Sequence, residues 1–139
     1  MKVKDVMHRG TTWVEPNTPV KEIAKRMRKD DVGAILVRAD GQLVGIVTDR
    51  DITCRVLANS GDINMMTAKD VMTKKVVSCS SDDDIATAVK KMEAKKIRRL
   101  PVTNSHKGLV GMLSLGDISH KVSKQLSGEM LRALSAHHR

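Results

Sequence analysis

Aromatic side chains are nearly absent from this chain of 139 residues, in which Trp13 is the sole aromatic residue. Proteins that bind single-stranded nucleic acid stack bases on aromatic platforms, so this class of protein is disfavoured. Long apolar runs are missing too: no stretch reaches 18 apolar residues, and the opening MKVKDVM lacks the apolar core of a signal peptide. We therefore expect a cytoplasmic protein without a membrane segment.

Cysteine is scarce as well. Cys54 and Cys79 are the two cysteines of the sequence, and their separation matches no metal-binding spacing. In a chain without export signals, the simplest interpretation is that both are reduced thiols in the core, with a disulfide or a shared metal as the alternatives. The histidines are scattered, and we predict no metal site.

Basic residues exceed acidic ones by 25 to 16, which gives a net charge of +9. Such an excess favours acidic partners, including phosphates and nucleic acid. No helix-turn-helix, zinc-finger or aromatic ribonucleoprotein motif supports nucleic-acid binding, which stays as an alternative. The densest basic run is most simply a solvated helix face, and otherwise a surface that steers polyphosphates; it consists of Lys90, Lys91, Lys95, Lys96, Arg98 and Arg99.

The chain is a tandem repeat. KDVM occurs at residues 4–7 and again at 69–72, a shift of 65, and after a loop the shift becomes 66, which pairs Asp51 with Asp117. Matches before and after a one-residue insertion indicate duplication. We predict a first repeat at residues 1–60, a linker at 61–68, a second repeat at 69–125 and a tail at 126–139.

Each repeat has the pattern strand, helix, strand, strand, helix, which predicts an α/β (α+β) fold of two β-α-β-β-α repeats. TTWVE and VVSC are the expected first strands. Thr18 and Pro19 predict a capped helix start in the first repeat, and residues 82–84 place three aspartates in the first helical turn of the second. The last helices are expected at residues 49–57 and 115–126.

The tail and the hairpin carry further signals. Met130, Leu131 and Leu134 suggest an amphipathic helix in the tail, and Asp40-Gly41 predicts a tight hairpin turn.

One phrase appears twice, as GIVTDRDI at residues 45–52 and GMLSLGDI at 111–118. In each, a buried strand meets a helix at S/T-x-x-D, a spacing typical of a capping box that stabilises a helix start. A ligand role is the alternative, because the hydroxyl suits a phosphate and the aspartate suits the two hydroxyls of a ribose. A scaffold in which the motif only stabilises the fold remains a third interpretation.

Two units of about 60 residues, each with DVM, a strand before the first helix, and a final G-h-h-[ST]-x-x-D, resemble a tandem pair of CBS domains. The resemblance covers about residues 1–125. It implies two repeats packed about a pseudo-twofold axis with clefts between them, adenosine ligands (AMP, ADP, ATP, NAD or S-adenosylmethionine), a homodimer, and a regulatory role on an unknown protein rather than catalysis.

The resemblance also implies site residues, which we place by motif position. The ribose would be bound by Asp51 and Asp117, and the phosphate by the hydroxyls of Thr48 and Ser114. Base contacts are implied for Ile46, Met112, Thr12 and Val77, the last two through backbone groups on the first strand of each repeat. Arg98 and Arg99 would meet phosphates.

The two copies differ near the implied phosphate. Gly33 and Ala34 stand in the first repeat where Arg98 and Arg99 stand in the second. The first repeat adds Asp49, a negative charge beside the phosphate, partly offset by its neighbour Arg50. We therefore expect the Ser114/Asp117 site to bind more tightly.

Overall fold

The computed structural model describes residues 1–59, 62–121 and 124–137. The chain divides into two compact units, a first unit of Thr12–Val76 and a second unit of Met1–Thr11 with Val77–Arg139. Each contains a three-stranded sheet and helices, which confirms the predicted mixed fold class. The units divide the chain differently from the sequence repeats, because each KDVM segment belongs to the unit that holds the other repeat's S/T-x-x-D motif.

The first unit contains a sheet in the order β1-β2-β3, with β1 parallel and β3 antiparallel to β2. Its elements are β1 (Trp13–Val14), α1 (Val20–Asp30), β2 (Ala34–Ala39), β3 (Gln42–Thr48), α2 (Asp49–Asp51), a π-helix (Ile52–Leu57), a 3-10 turn (Ile63–Met65) and α3 (Ala68–Val71).

The core of the first unit follows from the spacing of its apolar residues. Val20, Ile23 and Met27 recur at helical spacing and are buried in α1, where they pack with the inward face of the sheet. Asp40 and Gly41 take positive φ angles of 52° and 82°, as the tight turn between β2 and β3 requires.

The second unit repeats the sheet in the order β4-β5-β6. Its elements are a 3-10 turn (Val3–Asp5), β4 (Cys79–Ser80), α4 (Ile85–Lys95), β5 (Arg99–Thr103), β6 (Leu109–Ser114), α5 (Leu115–Lys121) and α6 (Lys124–His137). The stripe of α4 is buried as its spacing predicts: Ile85, Ala88, Val89 and Met92. Met130 and Leu134 of the tail helix join this core, whereas Leu131 is 48% exposed.

The helix starts differ from the prediction in both units. Helix α1 begins at Val20 without a side-chain cap, and the Thr18 carbonyl instead accepts the N–H of Ala68 at 2.9 Å. In the second unit the three aspartates precede α4 rather than lie in its first turn. The Asp83 carboxylate accepts the Ser80 N–H at 2.9 Å, so it stabilises the turn after β4.

The first strands are shorter than predicted, since each has only two residues. Thr12 and Val77 therefore lie just before the strands on which the sequence placed them. The helix expected at 49–57 is one α-helical turn continued by the π-helix, and the one expected at 115–126 ends its first segment at Lys121, with residues 122 and 123 outside the described part.

In the part of the chain that the structure describes, no helix combines the length and the apolar character needed to cross a membrane.

Candidate functional site

The doubled motif lies where the third strand of each sheet ends and a helix begins. In the first unit the Thr48 N–H donates to Asp51 Oδ2 at 2.9 Å, and the Asp51 N–H donates to Thr48 Oγ1 at 3.0 Å. In the second unit Ser114 and Asp117 make the same two bonds, both at 3.1 Å. Both motifs are thus capping boxes, and each fixes the position and the rotamer of its carboxylate.

The glycine of the motif lets another segment approach the strand. The residues that follow KDVM, His8 and Thr73, form antiparallel bridges with Met112 and Ile46. A Cβ on Gly111 would lie 2.6 Å from the His8 carbonyl oxygen, so a larger residue would push this segment away. DVM and the S/T-x-x-D motif, far apart in sequence, are therefore neighbours within each unit.

The Asp51 carboxylate has several partners besides its own cap. Thr73 Oγ1 donates to Oδ1 at 3.3 Å, and Arg55 Nε forms an ion pair with Oδ1 at 3.6 Å. The Asp51 side chain is 12% exposed. Arg55 is itself fixed, because its guanidinium donates to the carbonyls of Val71 and Met72. Both oxygens of this carboxylate thus accept protein hydrogen bonds or ion pairs.

The Asp117 carboxylate has fewer partners. Oδ2 accepts the Ser114 N–H, and across residues 1–59, 62–121 and 124–137 no donor reaches Oδ1. The residues that correspond to Thr73 and Arg55 are His8 and Lys121, both exposed. Among the described residues, Asp117 therefore has one carboxylate oxygen without a protein partner.

The two arginines lie beside this motif. Arg99 is opposite Ser114 in the antiparallel ladder, and the Arg98 carbonyl accepts the Leu115 N–H at 2.9 Å. Both side chains are exposed. The first unit has Gly33 instead, and a Cβ there would lie 3.1 Å from an Asp49 carboxylate oxygen. The corresponding place in the first unit therefore holds negative charge.

A cavity of about 300 Å³ lies next to the start of α5 in the second unit. Arg98 and Leu115 border it on one side, and Leu131, Leu134 and Ser135 of α6 border it on the other. The sequence predicted a helix in the tail but gave no sign that it lies beside Arg98.

Of the four residues with an implied base contact, Ile46 and Met112 lie on the strands of the motifs, and Thr12 and Val77 lie outside the motifs. Ile46 and Met112 are half-buried and hold the bridging segments through backbone hydrogen bonds of 2.8 to 3.0 Å. Thr12 is exposed, and Val77 packs its side chain against the core of the second unit. A base contact from Val77 would therefore involve its backbone.

The basic run is mostly a solvated surface. Lys91 is the exception, because its ammonium group donates to the Ser78 carbonyl at 2.9 Å and thereby holds α4 against the residue before β4. The other members are exposed: Lys90, Lys95, Lys96, Arg98 and Arg99.

The two cysteines are both free thiols in different environments. Cys79 is buried, and burial raises the pKa of its thiol to about 11. Cys54 is exposed, so its predicted place in the core was wrong: it lies on the π-helix, whose buried residue is Val56. Within the described residues, no three side chains among His, Cys, Asp and Glu are grouped so that they could hold a metal ion.

The sequence and fold match proteins of one family. The model of the CBS domain matches residues 3–57 and 68–124. CBS domain-containing protein YhcV of Bacillus subtilis is 35% identical over 134 residues, which are 96% of this chain and 94% of that protein. The crystal structure of Hypoxic Response Protein I with two coordinated zinc ions has a TM-score of 0.77 at 31% identity, over 88% of this chain and 100% of that one.

A second solved structure carries adenosine compounds. The CBS domain pair of protein MJ0100, in complex with 5'-methylthioadenosine and S-adenosyl-L-methionine, has a TM-score of 0.69 at 27% identity. The match covers 86% of this chain and 98% of the MJ0100 chain.

Proposed function

The chain belongs to the CBS domain family, and from this premise we propose that it is a non-catalytic regulatory module that binds an adenine nucleotide, with the Ser114/Asp117 motif as its stronger site. The nucleotides considered are AMP, ADP, ATP and NAD. The carboxylate of Asp117 carries the proposal, since one of its oxygens is held by the capping box and the other has no partner among the described residues.

A fixed carboxylate with a free oxygen suits the ribose diol. Two vicinal hydroxyls can donate to a carboxylate, and hydrogen bonds to a charged acceptor are about twice as strong as neutral ones. The capping box fixes the side chain before the ligand arrives, so little conformational entropy is lost on binding. In the first unit, Thr73 and Arg55 already occupy the corresponding oxygen.

The phosphate would lie on the side of Ser114. Its hydroxyl oxygen accepts the Asp117 N–H, so its own hydrogen is left to donate to a ligand. Arg99, opposite Ser114, and Arg98, one residue earlier, add positive charge that suits phosphate oxygens. The equivalent position near Thr48 holds Asp49, which would repel them.

The relative with bound ligands supports an adenosine compound. Both 5'-methylthioadenosine and S-adenosyl-L-methionine, which the MJ0100 pair holds, contain an adenine and a ribose with two hydroxyls. The family likewise supports regulation of another protein and a homodimer, which size-exclusion chromatography with light scattering would test.

The experiment compares AMP with its 2'-deoxy analogue in calorimetric titrations of the wild-type protein and of Asp117→Asn. We expect the wild type to bind AMP at least tenfold more tightly than the analogue, because the analogue leaves the carboxylate without one donor. Asp117→Asn should lower the affinity for AMP and reduce the preference for AMP over its 2'-deoxy analogue. Asp84→Asn is a matched control, since Asp84 is exposed and makes no side-chain cap. Equal affinity for the two ligands in the wild type would contradict a ribose-binding role.

A further inference from the structure

A second cavity, of about 510 Å³, lies in the first unit at the hairpin end of its sheet. Trp13, Asn17, Arg38 and Lys69 border it, together with the acidic residues Glu15 and Asp40. Arg38 lies four residues beyond Ala34, which pairs with Thr48, so the cavity is about 13 Å along the strand from the S/T-x-x-D motif. It is therefore a different place from the proposed nucleotide site.

Arg38 borders this cavity, and its guanidinium lies against the Trp13 ring. Its guanidinium carbon is 4.6 Å from the centre of the Trp13 ring, a distance at which a cation interacts with the indole face. Its Nε is buried and has no acceptor within the described part of the chain. This nitrogen is shielded from solvent, so an entering oxyanion would instead meet the terminal nitrogens of the guanidinium, of which Nη2 lies 3.6 Å from the position of a Cβ on Gly41, another residue that borders the cavity.

The second unit has an acidic partner for the lysine at the matching position. At the matching position in the second unit, Lys4 forms an ion pair with Asp82 at 3.4 Å. In the first unit the lysine is Lys69, but the residue in the place of Asp82 is Asn17, which is neutral. Within the described part of the chain Lys69 makes no ion pair, and its charge contributes to lowering the pKa of Asp70, its neighbour in sequence, after the hydrogen bonds from Thr67.

Two other positions near the cavity also differ between the units. Thr103 of the second unit corresponds to Arg38, and Ser78 corresponds to Trp13. Compared with the second unit, the first unit thus has a neutral amide in place of the carboxylate and has a guanidinium held against an indole. The neutral Asn17 and the cationic Arg38 both make the first unit more attractive to an anion at this place, and Trp13 holds the Arg38 guanidinium.

We infer that this cavity binds the oxyanion group of a small molecule, a carboxylate or a phosphate, through Arg38 and Lys69, with the Asn17 amide as a further donor. Glu15 and Asp40 are exposed, so water screens their charges, but they would repel a highly charged ligand. The site should therefore prefer a group of low charge. A guanidinium held by an aromatic ring presents a planar pair of donors that suits such a group.

Trp13 makes the test direct, because it borders the cavity and is the only Trp, Tyr or Phe of the sequence, so the fluorescence signal comes from this place. The protein is titrated with sodium phosphate and with sodium acetate, against sodium chloride at matched ionic strength, and each titration is repeated by calorimetry. We expect a saturable change with at least one oxyanion. Saturation by phosphate alone assigns a phosphate group, and saturation by acetate alone assigns a carboxylate.

Asn17→Asp is the sharpest variant, since it restores the acid that pairs with the lysine in the other unit. Asn17 and Lys69 are exposed, so Asn17→Asp and Lys69→Ala should fold, which circular dichroism checks. Each variant should lower the affinity of the protein for the oxyanion at least tenfold. Lys4→Ala, the matched change in the second unit, should leave that affinity unchanged. A wild-type response no different from chloride in both measurements, or unchanged affinity in Asn17→Asp, would overturn the inference. AMP titration of Asn17→Asp separates this site from the nucleotide site, whose affinity should not change.

Discussion

Replacing the two motif aspartates by alanine should produce opposite orders of effect on stability and on nucleotide binding. Asp51 and Asp117 occupy equivalent positions and both complete a capping box. They differ in the remaining carboxylate oxygen, which contacts Thr73 and Arg55 in the first unit and has no partner among the described residues in the second. Asp51→Ala should therefore lower the free energy of unfolding more, and Asp117→Ala should lower the affinity for AMP more.

The stability difference can be estimated from these contacts. Loss of the capping box costs about 1 kcal/mol in either variant. Asp51→Ala also leaves the half-buried Thr73 hydroxyl without its acceptor, which costs about 1 kcal/mol more. The ion pair with Arg55 adds less than about 0.5 kcal/mol, because the Arg55 side chain is 48% exposed and solvent screens it. We expect losses of about 2 kcal/mol for Asp51→Ala and about 1 kcal/mol for Asp117→Ala.

Urea unfolding followed by circular dichroism measures both free energies, and Trp13 fluorescence reports the first unit separately. Calorimetric titration with AMP should show a loss of tenfold or more for Asp117→Ala, as expected for a lost hydrogen bond to a charged group, and a much smaller loss for Asp51→Ala. Equal stability losses would refute the role given to Thr73 and Arg55. Equal affinity losses would refute the preference for the second unit.

Three further predictions concern the close approach at the motif glycine, the reactivity of the thiols and the pH dependence of stability. Gly111→Ala should destabilise the protein more than Gly45→Ala in urea unfolding, because the new Cβ meets the His8 backbone oxygen at 2.6 Å in one case and mainly the flexible Met72 side chain in the other; the reverse order would contradict this account. With an excess of a chromogenic disulfide at pH 8, the native protein should react at one thiol, Cys54, and the urea-unfolded protein at two. Since the pKa of Cys79 is raised to about 11 in the folded state, its contribution to stability is present below about pH 9 and lost between about pH 9 and 11, and Cys79→Ala should flatten that decline.

The features predicted well from sequence are those set by local chemistry. The hydroxyl and the carboxylate of S/T-x-x-D are three residues apart, so Thr48 and Ser114 form capping boxes in their own segment. The Asp40-Gly41 turn depends on the positive φ angles of two adjacent residues. The stripes of α1 and α4 depend on helical periodicity alone. None of these required knowledge of a distant partner.

The features that sequence missed depend on long-range contacts. Asp51 and Asp117 look equivalent in the motif, and their difference arises from Thr73, which is 22 residues away from Asp51 along the chain. Cys54 was expected in the core because of its residue type, but the π-helix directs Val56 inward and leaves Cys54 exposed. The assignment of each KDVM segment to the unit with the other repeat's motif likewise leaves no local signal.

The two units have diverged in opposite directions at the two ends of their sheets. At the motif end, Asp51 of the first unit contacts Thr73 and Arg55, while one oxygen of Asp117 in the second has no partner among the described residues. At the hairpin end, the second unit pairs Lys4 with Asp82, while the first leaves Lys69 beside a neutral Asn17 and adds Arg38. Exposed ion pairs contribute little to stability, and the Lys4 and Asp82 side chains are 48% and 67% exposed, so the stability of the fold alone does not decide which copy pairs these charges. The difference in partners is therefore free to serve binding, which is what the two proposed sites, at opposite ends of the two sheets, require.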